Sequence, residues 1–86
     1  MNTLRFKLAT PERLVLETEA DSISLPTSLG EITVLPSHAP LVAQLQPGEL
    51  IIRHGGNVQH LAVSGGFVQV QGGNEVVVLA DSAERV

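Results

Sequence analysis

Residues 54–80 read HGGNVQHLAVSGGFVQVQGGNEVVVLA, and the fold class turns on how this stretch is parsed. Three glycine pairs, Gly55-Gly56, Gly65-Gly66 and Gly72-Gly73, separate runs in which apolar and polar residues alternate. A period of two marks a half-buried strand, and glycine reaches the positive φ that tight hairpins need. Each pair is therefore expected to be a hairpin turn between neighbouring strands. The other common use of such pairs, a phosphate cradle, needs a helix whose first amides face the anion. Here each pair leads into a strand-like run instead.

The same period runs through the rest of the chain. LRFKLAT (4–10) puts Leu4, Phe6 and Leu8 on one face, with Arg5 and Lys7 on the other. DSISLP (21–26) does so with Ile23 and Leu25, and EITVLP (31–36) with Ile32 and Val34. LVAQLQ (41–46) and ELIIRH (49–54) follow, separated by Pro47-Gly48. No stretch before residue 80 has a capped helical period. The pattern predicts one all-β domain over residues 1–86, with eight to ten short antiparallel strands in a flattened sandwich or barrel. At the end of the chain, DSAER (81–85) looks like a helix start, with Asp81 as N-cap and Glu84 three residues on.

Composition narrows the functional classes. An 86-residue chain buries only about 60–65% of the surface that its unfolded form exposes, so its core must be efficient. There is no cysteine, and hence no disulfide or thiolate metal site. The only aromatics are Phe6 and Phe67, which leaves little to stack on sugars or bases. Net charge is −4, and Glu12–Asp21 holds four acids against one arginine. That balance argues against nucleic acid and anionic lipid, which both demand a basic face. No apolar run approaches the ~18 residues of a membrane-spanning helix, and the N-terminus does not look like a signal peptide. A cytosolic location without direct membrane insertion is expected.

The groups with chemical potential are few. Glu31 and His38 lie in GEITVLPSHAPL (30–41), where Pro36 and Pro40 bracket the histidine. A catalytic histidine needs a nucleophile or an orienting carboxylate within reach. Glu31 is seven residues away across a short strand, and Ser37 lacks the strand–turn–helix setting of a nucleophile elbow. The prolines fix φ and bias Leu35 and Ala39 toward extended backbone, so the segment reads as a stiff turn or a shaped contact surface. His54 and His60 flank the Gly55-Gly56-Asn57 turn, where a hairpin could bring them near each other, and they read as surface hairpin residues. Two imidazoles alone rarely hold a metal. Catalytic residues, a metal and a cofactor are therefore not expected.

Composition and spacing end at an acidic all-β binding module. Four stretches add to this: GEITVLPSHAPL (30–41), QPGEL (46–50), VSGGF (63–67) and VLADSAER (78–85). Together, in this order and spacing, they resemble the N-terminal domain of the epsilon subunit of bacterial and plastid rotary ATP synthases. The resemblance runs over residues 4–85. It implies a ten-stranded β-sandwich and a non-catalytic role in the central stalk, where the domain binds the gamma subunit and the loops of the c-ring. Rotation driven by proton or sodium flow would thereby be coupled to ATP synthesis. The resemblance carries the c-ring loop onto Gly30 and Glu31, and the stalk and ring contact onto Ser37, His38, Ala39, Pro40 and Leu41. It also implies a peripheral place on the cytoplasmic side of a bacterial plasma membrane, or its thylakoid equivalent. The isolated domain is expected to be a monomer. Family members usually continue past LADSAER into a helical hairpin, whereas this sequence stops at Val86. The expectation is coupling without hairpin-based inhibition and without an ATP site. A free-standing β-sandwich adaptor is the alternative reading.

Overall fold

The computed structural model describes residues 3–72 and 74–86 of the chain. They form ten strands: β1 (Leu4–Ala9), β2 (Leu14–Ala20), β3 (Ser22–Thr27), β4 (Gly30–Val34), β5 (Leu41–Leu45), β6 (Gly48–His54), β7 (Asn57–Val63), β8 (Gly66–Gln71), β9 (Glu75–Ala80) and β10 (Ala83–Arg85). Hydrogen bonding links them in the order β10-β7-β6-β3-β5-β8-β9-β1-β2, with β4 on the other side of β3. The sheet folds on itself at β3, where a single pairing of Thr27 with Leu45 joins the two halves. The result is the expected all-β sandwich.

Alternation determines which face goes inside. Leu4, Phe6 and Leu8 are buried while Arg5 and Lys7 are exposed. Ile23 and Leu25, Val34, Leu50 and Ile52, Val68 and Val70, and Val76 and Val78 complete the interior from the facing strands. Phe6 is the one buried aromatic of this aliphatic core. No buried side-chain nitrogen or oxygen lacks a partner among the described residues. Ser24 and Thr33, for example, hydrogen-bond each other across the β3–β4 hairpin.

Several local expectations change. The pairings are antiparallel except one: β1 runs parallel to β9. Gly55-Gly56 does make the β6–β7 hairpin, with φ of 58° and 87° and His54 opposite Asn57. Gln71 opposite Glu75 closes the β8–β9 hairpin, although Gly73 of its turn lies outside the described residues. Gly65-Gly66 is not a hairpin. β7 pairs with β6 and β10 whereas β8 pairs with β5 and β9, so this pair carries the chain from one half of the sandwich to the other. Its glycines serve close approach instead, because a Cβ on Gly66 would overlap the Leu79 carbonyl.

DSAER is not a helix start. Ala83–Arg85 forms β10, with Ala83 buried opposite Val63. The edge of β7 offers this segment its ladder hydrogen bonds, and Ala83 fills a buried place beside Val63. The segment LVLETEA, noted above only for its acids, is the edge strand β2. Its Glu17 and Glu19 are exposed opposite Lys7 and Arg5 of β1. Charges of this kind protect a sheet edge from pairing with another chain.

Candidate functional site

The strands run up and down between two ends of the sandwich, and the residues singled out in GEITVLPSHAPL divide between those ends. β4 is five residues long, about 16 Å at ~3.3 Å per residue. Gly30 and Glu31 stand at its start and the turn containing His38 lies beyond its finish. The structure does not bring the carboxylate and the imidazole together.

At the first end, the β3–β4 turn is built from the inside. Thr27 is buried, and its hydroxyl donates to the Gly30 carbonyl at 2.5 Å while accepting the Leu29 amide at 3.2 Å. The Ser28 amide donates to the Gln44 carbonyl, which fastens the turn to β5. Gly30 has φ of 110°, a backbone conformation that side chains disfavour. This bracing projects Leu29 outward, 88% exposed, beside the exposed Glu31.

At the opposite end, Leu35-Pro36-Ser37-His38 makes a β-turn closed by the His38 amide on the Leu35 carbonyl, at 3.1 Å. Pro36 precedes Ser37, whose φ of 69° supplies the positive value that a type II turn needs at its third residue. The His38 Nδ1 lies 2.6 Å from the Ala39 carbonyl. A carbonyl only accepts, so Nδ1 is the donor in this contact. Ala39 and Pro40 are exposed and Leu41 is half-buried where β5 starts.

His54 and His60 do not meet. His60 is opposite Ile51, three residues along β6 from His54 and on the other face of the strand. Each has its own carboxylate: His54 Nδ1 is 3.5 Å from Asp21, and His60 Nδ1 contacts Glu49. Among the described residues, no three His, Cys, Asp or Glu side chains gather as a metal site.

The sequence reading overlooked one surface. The outer face of β5-β8-β9-β1-β2 is ordered in rows by register. Gln44, Phe67, Leu79, Ala9 and Leu14 are consecutive cross-strand partners in the row nearest the Leu29 turn. The next row is Val42, Gln69, Val77, Lys7 and Glu17, and the far one includes Gln71, Glu75, Arg5 and Glu19. Polarity therefore grades along the face, from apolar at the Leu29 end to charged at the other. Phe67, Leu79 and Val42 are 57%, 58% and 68% exposed. A shallow groove runs past Phe67 and Leu79 to Pro11. Exposed apolar side chains grouped in this way make the face a candidate interaction surface. The signal was present in FVQVQ, where alternation places Phe67 on the solvent side with Gln69 and Gln71.

Fold and surface define the class: a small all-β sandwich domain with a graded outer face. The chain belongs to the ATP synthase delta/epsilon chain β-sandwich domain family, whose profile matches residues 3–86. Among curated relatives, it is 46% identical over 83 residues to the ATP synthase epsilon chain of Desulforamulus reducens, covering 96% of this chain and 62% of that one. It is 47% identical over 85 residues to the epsilon chain of Dehalococcoides mccartyi, covering 99% and 60%. The chain thus spans about three fifths of the length of these relatives. Among solved structures, it matches a chain in the Euglena gracilis mitochondrial ATP synthase OSCP/F1/c-ring assembly, with a TM-score of 0.92 and 28% identity over 96% of this chain and 53% of that one. A chain of the Tetrahymena thermophila mitochondrial ATP synthase central stalk/c-ring shares the fold, with a TM-score of 0.82 and 20% identity over 96% of this chain and 66% of that one.

Proposed function

We propose that this chain is a non-catalytic central-stalk component of a rotary ATP synthase, binding the gamma subunit and the c-ring loops so that ion-driven rotation reaches the catalytic subunits. The observation that carries this reading is the match of nearly the whole chain to epsilon chains at 46–47% identity. Likeness to a chain from an F1/c-ring assembly supports it. In this reading Gly30 and Glu31, with Leu29 beside them, meet the c-ring loops. Ser37, His38, Ala39, Pro40 and Leu41 form a second contact edge toward the stalk and ring, and the apolar row through Phe67 and Leu79 faces gamma.

The physical logic is mechanical. A coupling that transmits torque must not bend, and ordering a loose loop on contact would weaken binding. Both candidate edges are braced: one by the buried Thr27 hydroxyl, the other by a proline turn. A rim ion pair contributes only about 0.2–1 kcal/mol, so shape and apolar contact outweigh the Glu31 charge. The complex would hold the domain peripherally at the cytoplasmic face of a bacterial plasma membrane or its thylakoid equivalent. No helix of the described residues is long and apolar enough to cross a membrane.

Capture of the gamma subunit by the tagged chain, followed by assembly of the pair onto c-rings, tests the proposal. Gamma retained at micromolar concentration supports it. A chain that binds neither gamma nor the c-ring would be a free-standing β-sandwich adaptor instead.

A further inference from the structure

We propose that Asn74 is the positioning residue of the Pro36–Pro40 turn, clamping it to the body of the sandwich in the conformation that docks. The inference rests on the reading of that turn as a contact edge. Among the described residues only two other than glycine have positive φ, Ser37 at 69° and Asn74 at 62°. They are 37 residues apart in sequence, yet the Ser37 amide donates to the Asn74 Oδ1 at 2.6 Å. The Asn74 carbonyl in turn accepts the Arg5 amide at 2.8 Å. One residue therefore ties the turn to the β8–β9 hairpin and to the first residues of β1.

The chemistry suits asparagine. Its short side chain makes left-handed backbone accessible, and its amide oxygen is an acceptor two bonds from Cβ. Pro36 and Pro40 stiffen the turn internally but have no N–H with which to anchor it. The Leu35–His38 hydrogen bond is likewise internal to the turn. The bond to Asn74 is what relates the turn to another element, and it acts on the residue adjoining His38. Turn shape and turn placement thus have separate origins, local prolines for the first and a remote asparagine for the second.

The test compares Asn74→Gly and Asn74→Asp in the 86-residue chain. Glycine accepts a positive φ without strain, so Asn74→Gly removes the acceptor while sparing the hairpin. Aspartate keeps an oxygen in place. Amide hydrogen exchange at Ser37 and affinity for the gamma subunit are read together. The expected result for Asn74→Gly is about tenfold faster exchange at Ser37 and about tenfold weaker gamma binding, the scale of one lost hydrogen bond. Exchange at core amides such as Val68 and Val78 should not change, and Asn74→Asp should restore both readouts. Unchanged Ser37 exchange in Asn74→Gly overturns the clamp, as does failure of Asn74→Asp to restore it. Faster exchange with undiminished gamma binding overturns its role in docking. If the unmutated chain does not bind gamma, the proposed function falls, while Ser37 exchange still decides whether Asn74 holds the turn.

Discussion

The backbone of Gly66 lies directly against the carbonyl of Leu79, so close that a Cβ at residue 66 would overlap that oxygen and stand 2.8 Å from the Ala80 Cα. With φ of 131°, the position combines a backbone conformation open to glycine with a space open only to hydrogen. The chain crosses here from one half of the sandwich to the other, and the parallel β1–β9 pair sits next to the crossing. Gly66→Ala should cost about 2–4 kcal/mol, from backbone strain and overpacking together. Urea unfolding measures this. A loss below about 1 kcal/mol would show that the crossing relaxes freely.

Ser37 makes the opposite case. Its φ of 69° is held at an exposed position by the turn and by the Asn74 hydrogen bond. Ser37→Gly should stabilise the chain by about 0.5–1 kcal/mol, because relief of the left-handed strain exceeds the added freedom of the unfolded chain. The melting temperature should rise by about 2–8 °C for a domain this small. A lower melting temperature would contradict this account of the turn.

The two phenylalanines should separate stability from binding. Phe6 is fully buried, and Phe6→Ala should cost about 3–5 kcal/mol. Against a total of about 4–13 kcal/mol for a domain of this length, that removes most or all of the stability at the low end and roughly a third of it at the high end. Phe67 is on the outer face. Phe67→Ser should leave the urea midpoint nearly unchanged yet weaken gamma binding by at least about tenfold, as expected of an aromatic anchor in an interface. Equal gamma affinity for Phe67→Ser and the unmutated chain would remove the apolar row from the proposed interface.

Glu31→Gln tests the weight given to charge. The carboxylate is exposed, so the substitution should change c-ring association by no more than about 1 kcal/mol. Leu29→Ser, two residues away, should cost more. A loss of several kcal/mol with Glu31→Gln would reverse that order.

Glu84→Pro distinguishes strand from helix at the end of the chain. In the β7–β10 ladder the Val86 amide donates to His60 and the Ser64 amide to Ser82, which puts the Glu84 amide in the same hydrogen-bonded pattern opposite Ala62. Proline removes that donor, with an expected cost of about 1–2 kcal/mol and faster exchange at Ala62. The first turn of a helix would tolerate proline. No change in stability would therefore contradict β10.

Much of this fold is legible before any tertiary contact is known. Alternation in LRFKLAT, DSISLP and NEVVVLA identifies the inward residues, and Gly55-Gly56 marks a true hairpin, because side-chain direction and turn conformation are local properties of a few residues. The spacing of Glu31 and His38 across β4 likewise argues against a catalytic pair. Local properties failed where one pattern serves two purposes. Gly65-Gly66 has the form of a hairpin turn but provides close approach across a crossing, and DSAER has the form of a helix cap but completes a sheet edge.

Sequence alone therefore determined the all-β class, the inward faces and, through motif resemblance, the family. Tertiary structure decided what lies beside what: the parallel β1–β9 pairing, the apolar row from Gln44 to Leu14, and the contact of Ser37 with Asn74. The reason is that alternation records only whether a side chain points in or out. Strand neighbours are chosen by hydrogen bonds and packing summed over the whole sandwich, and no short stretch carries that sum.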